Sequence, residues 1–472
     1  MEKKNTWETY SSKQLKELEK INAQYRDFLD NGKTERECID TIVNTIEKSG
    51  YRELESLIKE GAALKTGDKV YSVWMNKSIA MFQIGRKPMT EGMNILGAHI
   101  DSPRLDVKQN PLYEDGGFAY LDTHYYGGVK KYQWVTIPLA IHGVIVKKDG
   151  TCVEINIGEN EDDPVFFVSD LLIHLAQEQL EKKAAKVIEG EALDIIVGNK
   201  PLLIDKKDKK KDEKQAGKEA VKAGVLDILK ETYDIHEEDF VSAELEIVPA
   251  GKAREAGFDR SMILAYGQDD RVCAYTSMQA MLDSDVTDRT MCCILVDKEE
   301  IGSVGATGMQ SHFFENAVAE VMNLTGGYSE LHVRRCLAHS CMLSSDVSSA
   351  FDPTYASSFD KKNVAYLGGG MVINKFTGAR GKSGSNDANA EYLAHLRHIF
   401  DKAEVNFQTA ELGKVDLGGG GTIAYILALY GMNVIDSGVA VLNMHAPWEA
   451  TSKADIYETY RGYKAFVEGA SL

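Results

Sequence analysis

The stretch "MCCILVDKEEIGSVGATG", Met291 to Gly308, decides the fold. Its first six residues, Met291–Val296, are apolar and read as a short buried strand. Glu299 and Glu300 stand where that strand ends, and a glycine-rich turn follows. In open α/β sheets, ligands bind beyond the carboxyl ends of strands. Two neighbouring carboxylates there would repel unless a cation or a proton compensated them.

The same pattern recurs along the chain. "ILGAHID" is an apolar run ending in His99 and Asp101, "CMLSSD" ends in Asp346, and "VLNMHAP" ends in His445. Four strands ending in metal-competent side chains would converge on one place. "NVAYLGGG" (363–370), "RCLAHSCMLSSD" (335–346) and "VAVLNMHAP" (439–447) also read as strands. The segments 271–283, 308–323, 386–403 and 421–431 between them read as helices. This alternation predicts a mixed, mainly parallel α/β sheet sandwiched by helices.

Upstream, residues 13–62 carry helical periodicity, and 70–85 alternates like strands. From about 106 to 245 the character changes. "WVTIPLAIHGVIVKKDGTCVEINIG" (134–158) predicts a hairpin turning at "KKDG", and 169–190 predicts a helix capped by Ser169 or Asp170. This stretch reads as a β-rich insertion, so the expected domains are 1–105 with 246–472, and 106–245. The run Asp205–Lys222 is a charged, solvated loop or mobile arm, or less simply a basic docking site.

At 472 residues, the chain is long enough for two domains. Its net charge of -18 argues against nucleic acid as the main partner. The polar N-terminus lacks the apolar core of a signal peptide, and no apolar run reaches membrane-spanning length, so the expected location is cytoplasmic. The seven cysteines include no C-x-x-C pair, which predicts reduced, mostly buried thiols.

Individually, each site has an ordinary reading. His99 and Asp101, two apart, leave one face of an extended segment, so the carboxylate could orient the imidazole toward a metal. Equally, this could be a hydrogen-bonded histidine near a turn. Asp269 and Asp270 open a helix and could cap it, or one could bridge two ions. Of the glutamates, one could bind a metal while the other faces an attacking water as a base. Together, His99, Asp269, Glu300, Asp346 and His445 suit a pair of zinc, cobalt or manganese ions sharing one aspartate. "TGARGKSG" is no phosphate loop, because Phe376 occupies the position needing glycine. "DLGGGGTIA" allows a close strand-to-helix turn, and the backbone of Gly419 and Gly420 could face a substrate.

"GAHIDSPRLD", "THYYGG", "DDR", "DKEEIGSVGATG", "SSD", "GGGGTIA" and "MHAPWE" occur in an order that resembles the aspartyl aminopeptidase and aminopeptidase I family of cocatalytic zinc exopeptidases. The resemblance spans nearly the whole chain. It implies one ion on His99, Asp269 and Asp346, and another on Asp269, Glu300 and His445. Asp101 would support His99, and Glu299 would be the general base and later the proton donor. The insertion would make dimers that assemble into a tetrahedral dodecamer, with His174 reaching a neighbouring subunit's site. The substrates would be peptides.

Two positions depart from the aspartyl pattern. Asp352 stands in "FDPTY" where those members have histidine. Asn374 stands where they have a lysine that meets the acidic substrate side chain, and Lys375 follows it. Lys375 is therefore the candidate for that contact, and the choice between acidic and neutral N-terminal residues stays open. Two rival functions fit the same residues: a dinuclear deacylase of N-acyl amino acids, and a catalytically silent assembly or binding protein.

Overall fold

The computed structural model describes residues 5–202, 219–378 and 380–471. Most of the lysine-rich run, up to residue 218, lies outside the described residues. Contacts divide the chain into two units. One comprises the chain up to Ser102, Ala253–Met444 and the chain from Trp448; the other comprises Pro103–Lys252 with His445–Pro447.

The first unit is built on a nine-stranded sheet. At its centre, Thr290–Val296, Met93–His99, Cys341–Ser345 and Asn433–Gly438 run parallel in that spatial order. Antiparallel pairs join this centre to Ser78–Gln83 on one side and Met371–Asn374 on the other, so the sheet is mixed. Side chains alternate across it. Cys292 and Ile294 enter one apolar core, while Cys293 and Leu295 enter the other. The first core is closed by helices Phe313–Leu324 and Glu330–Ala338. The second is closed by Ser12–Asn31, Glu35–Glu47, Gln268–Leu282, Ala390–Lys402 and Lys453–Gly469. Capping boxes at Ser11 and Thr34 start the first two of these.

A separate five-stranded sheet in the same unit contains Ala440–Leu442 and Glu449–Ser452. The strand preceding His445 therefore belongs to a different sheet from the strands that precede His99, Glu299 and Asp346. Two more assignments change. Residues 335–338 of "RCLAHSCMLSSD" are helical, and only Cys341–Ser345 is strand. "NVAYLGGG" makes one isolated bridge, Ala350 to Ala365, and the strand starts at Met371. Short apolar runs fit helix and strand equally, and neighbours decide between them.

The second unit is a six-stranded antiparallel sheet with the helix Ala220–Tyr233. The predicted hairpin is present as Leu139–Val146 and Cys152–Ile157. Ala243–Pro249 pairs within this sheet, so the expected boundary at 245 cuts a strand. The predicted helix over 169–190 is instead three short pieces, at Ile173–Leu175, Gln177–Leu180 and Ala184–Val187. Asp170 does not cap a longer helix; it accepts from its neighbour Leu171 and from the Gln179 amide. Leu172, Ile173, Leu175 and Leu180 are exposed, so no packed apolar face holds a long helix together.

All seven cysteines are free, and only Cys152 is exposed. Burial pushes the Cys38 and Cys336 thiols up to about 12, which keeps them protonated. Among the described residues, no helix is long and apolar enough to cross a membrane.

Candidate metal centre

Three parallel strands deliver side chains to one edge of the large sheet. Val296 pairs with His99 and Ser344 with Gly97, so the segments carrying Glu299, His99 and Asp346 leave the sheet side by side. Ligand atoms of His99, Asp269 and Asp346 lie within 4.8 Å of one another. His99 and Asp269 are almost fully buried, and Asp346 is partly buried.

Asp101 organises this edge. Its carboxylate lies 3.2 Å from His99 Nδ1 and accepts from the backbone N–H groups of Glu299 and Glu300, both at 3.1 Å. One buried carboxylate thus orients the imidazole and fixes the turn that carries both glutamates. That turn, Glu299–Ile301, is a 3₁₀ turn. At three residues per turn, neighbouring side chains still diverge. His99 Nε2 faces Asp269 at 3.3 Å and Glu299 at 3.9 Å.

Asp269 comes from the start of Gln268–Leu282, where no side-chain bond caps the first turn. Asp269 and Asp270 keep non-helical angles and are joined by a cis peptide. The backbone around Asp269 is held by Glu449, whose carboxylate accepts its N–H at 3.0 Å, and by Ser102, which donates to its carbonyl at 2.7 Å. Arg271 donates to the carbonyls of Ile100 and Lys33 and ties the His99 segment to this turn. Glu449, Ser102 and Arg271 were not singled out from the sequence, although each lies within a quoted motif.

The electrostatics fit a cation. Burial pushes the Asp346 carboxyl well above its usual range, and the charges of Glu299, Asp269 and Asp270 push it further. Asp270 is raised in the same way, by burial and then by Asp269, with His99 opposing. Burial by itself would lower His99, yet bonds to Asp101 and Asp269 hold it well above its ordinary value. Carboxylates packed this closely can all ionise only beside positive charge, and imidazole with carboxylate is a donor set for zinc-like ions.

The remaining candidates are placed as follows. His445 lies in the second unit, half-buried, with Nδ1 2.9 Å from the Gly128 carbonyl. His174 is exposed on the short turn Ile173–Leu175. Gly420 donates its N–H to the Thr377 carbonyl at 3.2 Å, which removes that group from those able to reach a substrate. Gly419 has φ of 126°, a conformation that suits glycine. Lys375 is exposed and follows a strand antiparallel to Asn433–Gly438. The backbone there therefore runs opposite to the strands that end at His99 and Ser345. Asn374 is buried, and its amide donates to the Ala410 carbonyl at 2.9 Å. Asp352 accepts from Thr354 N–H and caps the turn Pro353–Ser358.

Residues 28–467 match the family profile described as aminopeptidase I zinc metalloprotease (M18). The chain belongs to this family. It is 63% identical over 466 residues to a probable M18 family aminopeptidase 1 of Clostridium acetobutylicum, covering 99% of this chain and 98% of that protein. The crystal structure of the M18 aminopeptidase from Thermotoga maritima superimposes with a TM-score of 0.93 at 44% identity, over 100% of both chains. A structure of the S. cerevisiae mApe1 dodecamer shares the fold at 20% identity, with a TM-score of 0.75 over 94% of this chain and 96% of that one. The protein is thus a metalloaminopeptidase, a hydrolase of peptide bonds.

Proposed function

We propose that the enzyme removes the N-terminal residue of peptides at a dinuclear centre. One ion would be held by His99, Asp269 and Asp346, and the second by Asp269, Glu300 and His445. The observation that carries this reading is the grouping of His99, Asp269 and Asp346 at one strand edge, with Glu299 beside His99. Bound divalent ions, zinc first with cobalt or manganese as substitutes, would supply Lewis acidity toward the scissile carbonyl and a site for the free α-amine.

The chain's own residues would do the rest. Glu299 takes a proton from the attacking water and returns it to the leaving amine. Its position supports that role, because its backbone is pinned by Asp101 while its carboxylate faces His99. Asp101 holds His99 in the tautomer that presents Nε2 to a metal. For His445, the Gly128 carbonyl beside Nδ1 favours Nε2 as the metal-facing nitrogen. Asn374 offers no cation for an acidic substrate side chain, which favours neutral N-terminal residues.

A substrate panel separates this from a deacylase. Leucyl and methionyl amides with a free amine should be cleaved, and their N-acetyl forms should be inert. Faster cleavage of the acetylated forms would overturn the aminopeptidase reading of the site.

The inserted unit would serve assembly, as dimers within a dodecamer like that of the yeast relative. Its exposed apolar run, including Leu172, Ile173 and Leu175, supports burial against a second copy. Changing Ile173 and Leu175 together to aspartate should reduce the mass measured by light scattering to that of smaller species. An unchanged mass would remove this segment from the interface.

A further inference from the structure

Beneath the metal-ligand edge lies a row of small and polar side chains. Gly97, Ser344, Asp436 and Asn374 are direct partners across four neighbouring strands. His99 and Asp346 follow Gly97 and Ser344 by two residues, so the row sits one step below them on the same face. Apolar residues fill the sheet elsewhere at this depth, so a carboxylate here costs free energy unless it is partnered.

Asp436 is 2% exposed. Thr422 donates its hydroxyl to Asp436 Oδ1 at 2.6 Å, and the same hydroxyl accepts from the N–H of Ala424 at 3.3 Å. Asp436 Oδ2 and the Ser344 hydroxyl are buried with no hydrogen-bond partner among the described residues. Burial pushes the Asp436 carboxyl up to about 7, the Thr422 bond opposes this, and the charge of Glu299 adds to it.

Thr422 ends the glycine run Gly418–Gly421. The other end of the run is also tightly placed. A Cβ on Gly418 would sit 1.6 Å from the Leu412 carbonyl, and Gly420 is tied to Thr377. We propose that Asp436 is a positioning residue that acts through Thr422 to hold the glycine run, Gly419 above all, in the arrangement that receives the substrate backbone. This rests on the reading of Gly419 as a substrate contact.

The test is steady-state kinetics on leucine p-nitroanilide, with metal content measured for every variant. Thr422→Val removes the hydroxyl and should raise KM about tenfold, equivalent to about 1.4 kcal/mol, while kcat changes less than KM and metal content stays constant. Thr422→Ser keeps the hydroxyl and should restore KM. Asp436→Ala removes the acceptor of the Thr422 hydroxyl and should raise KM as Thr422→Val does, and the double variant should be no worse than either single one. Gly419→Ala should raise KM independently of Thr422.

A Thr422→Val enzyme with unchanged KM while Gly419→Ala raises it would overturn the anchoring by Asp436 and leave the substrate contact standing. Unchanged KM in both would overturn the substrate contact and the anchoring with it. A fall in kcat and in metal content together would make Asp436 a support of the metal ligands instead, and would also overturn the proposal.

Discussion

Glu299→Gln lowers kcat by about 10²–10⁴-fold, the range a general base contributes, and leaves metal content and melting temperature unchanged. Glutamine keeps the shape and hydrogen bonding of the side chain but cannot take a proton. The backbone of residue 299 stays pinned, because Asp101 accepts from its N–H and not from its side chain. The neighbouring substitution, Glu300→Gln, should instead weaken metal binding. The contrast between these adjacent positions is the signature of divided roles, and equal effects on metal content would contradict it. Steady-state kinetics beside elemental analysis reads both outcomes.

Asp269→Ala would remove the proposed shared ligand and should abolish measurable turnover with loss of both ions. Removing partners one step outside a metal site typically costs about 10–100-fold, so deleting the bridging ligand should exceed that. The fold should survive, because Gln268–Leu282 is held in the core by Val272, Cys273, Tyr275 and Met278, all buried. Treating the native enzyme with a chelator should give the same inactive state, and added zinc should restore activity only where Asp269 is present.

How far these positions could be read from the sequence depended on whether the signal was local. Glu299, Glu300, His99 and Asp346 were legible because a fully buried parallel strand is a continuous apolar run, and the first polar residues after it mark its carboxyl end. That three such ends lie side by side is a matter of pairing, which the spacing alone does not give. His445 shows the limit: its apolar run looks the same as the others, yet the strand pairs in a different sheet. Lys375 shows a second limit. A strand's direction relative to its neighbour is invisible in the run "MVIN", and the antiparallel pairing with Asn433–Gly438 reverses the backbone that leads into Lys375. The failed helix at 169–190 has a third cause. Its periodicity is real, but its apolar side chains are exposed, and periodicity forms a helix only when something covers the apolar face. Supports such as Ser102 and Glu449 act through the backbone of Asp269, a contact between residues 167 and 180 positions apart.

The central claim is that one aspartate, Asp269, serves two ions. Metal content of the dialysed wild-type enzyme and of Asp269→Ala and Asp346→Ala tests it most directly. Two ions per chain in the wild type, none in Asp269→Ala and one in Asp346→Ala is the result expected. An Asp269→Ala protein that keeps an ion, or a wild type that holds only one, would contradict the shared-ligand centre.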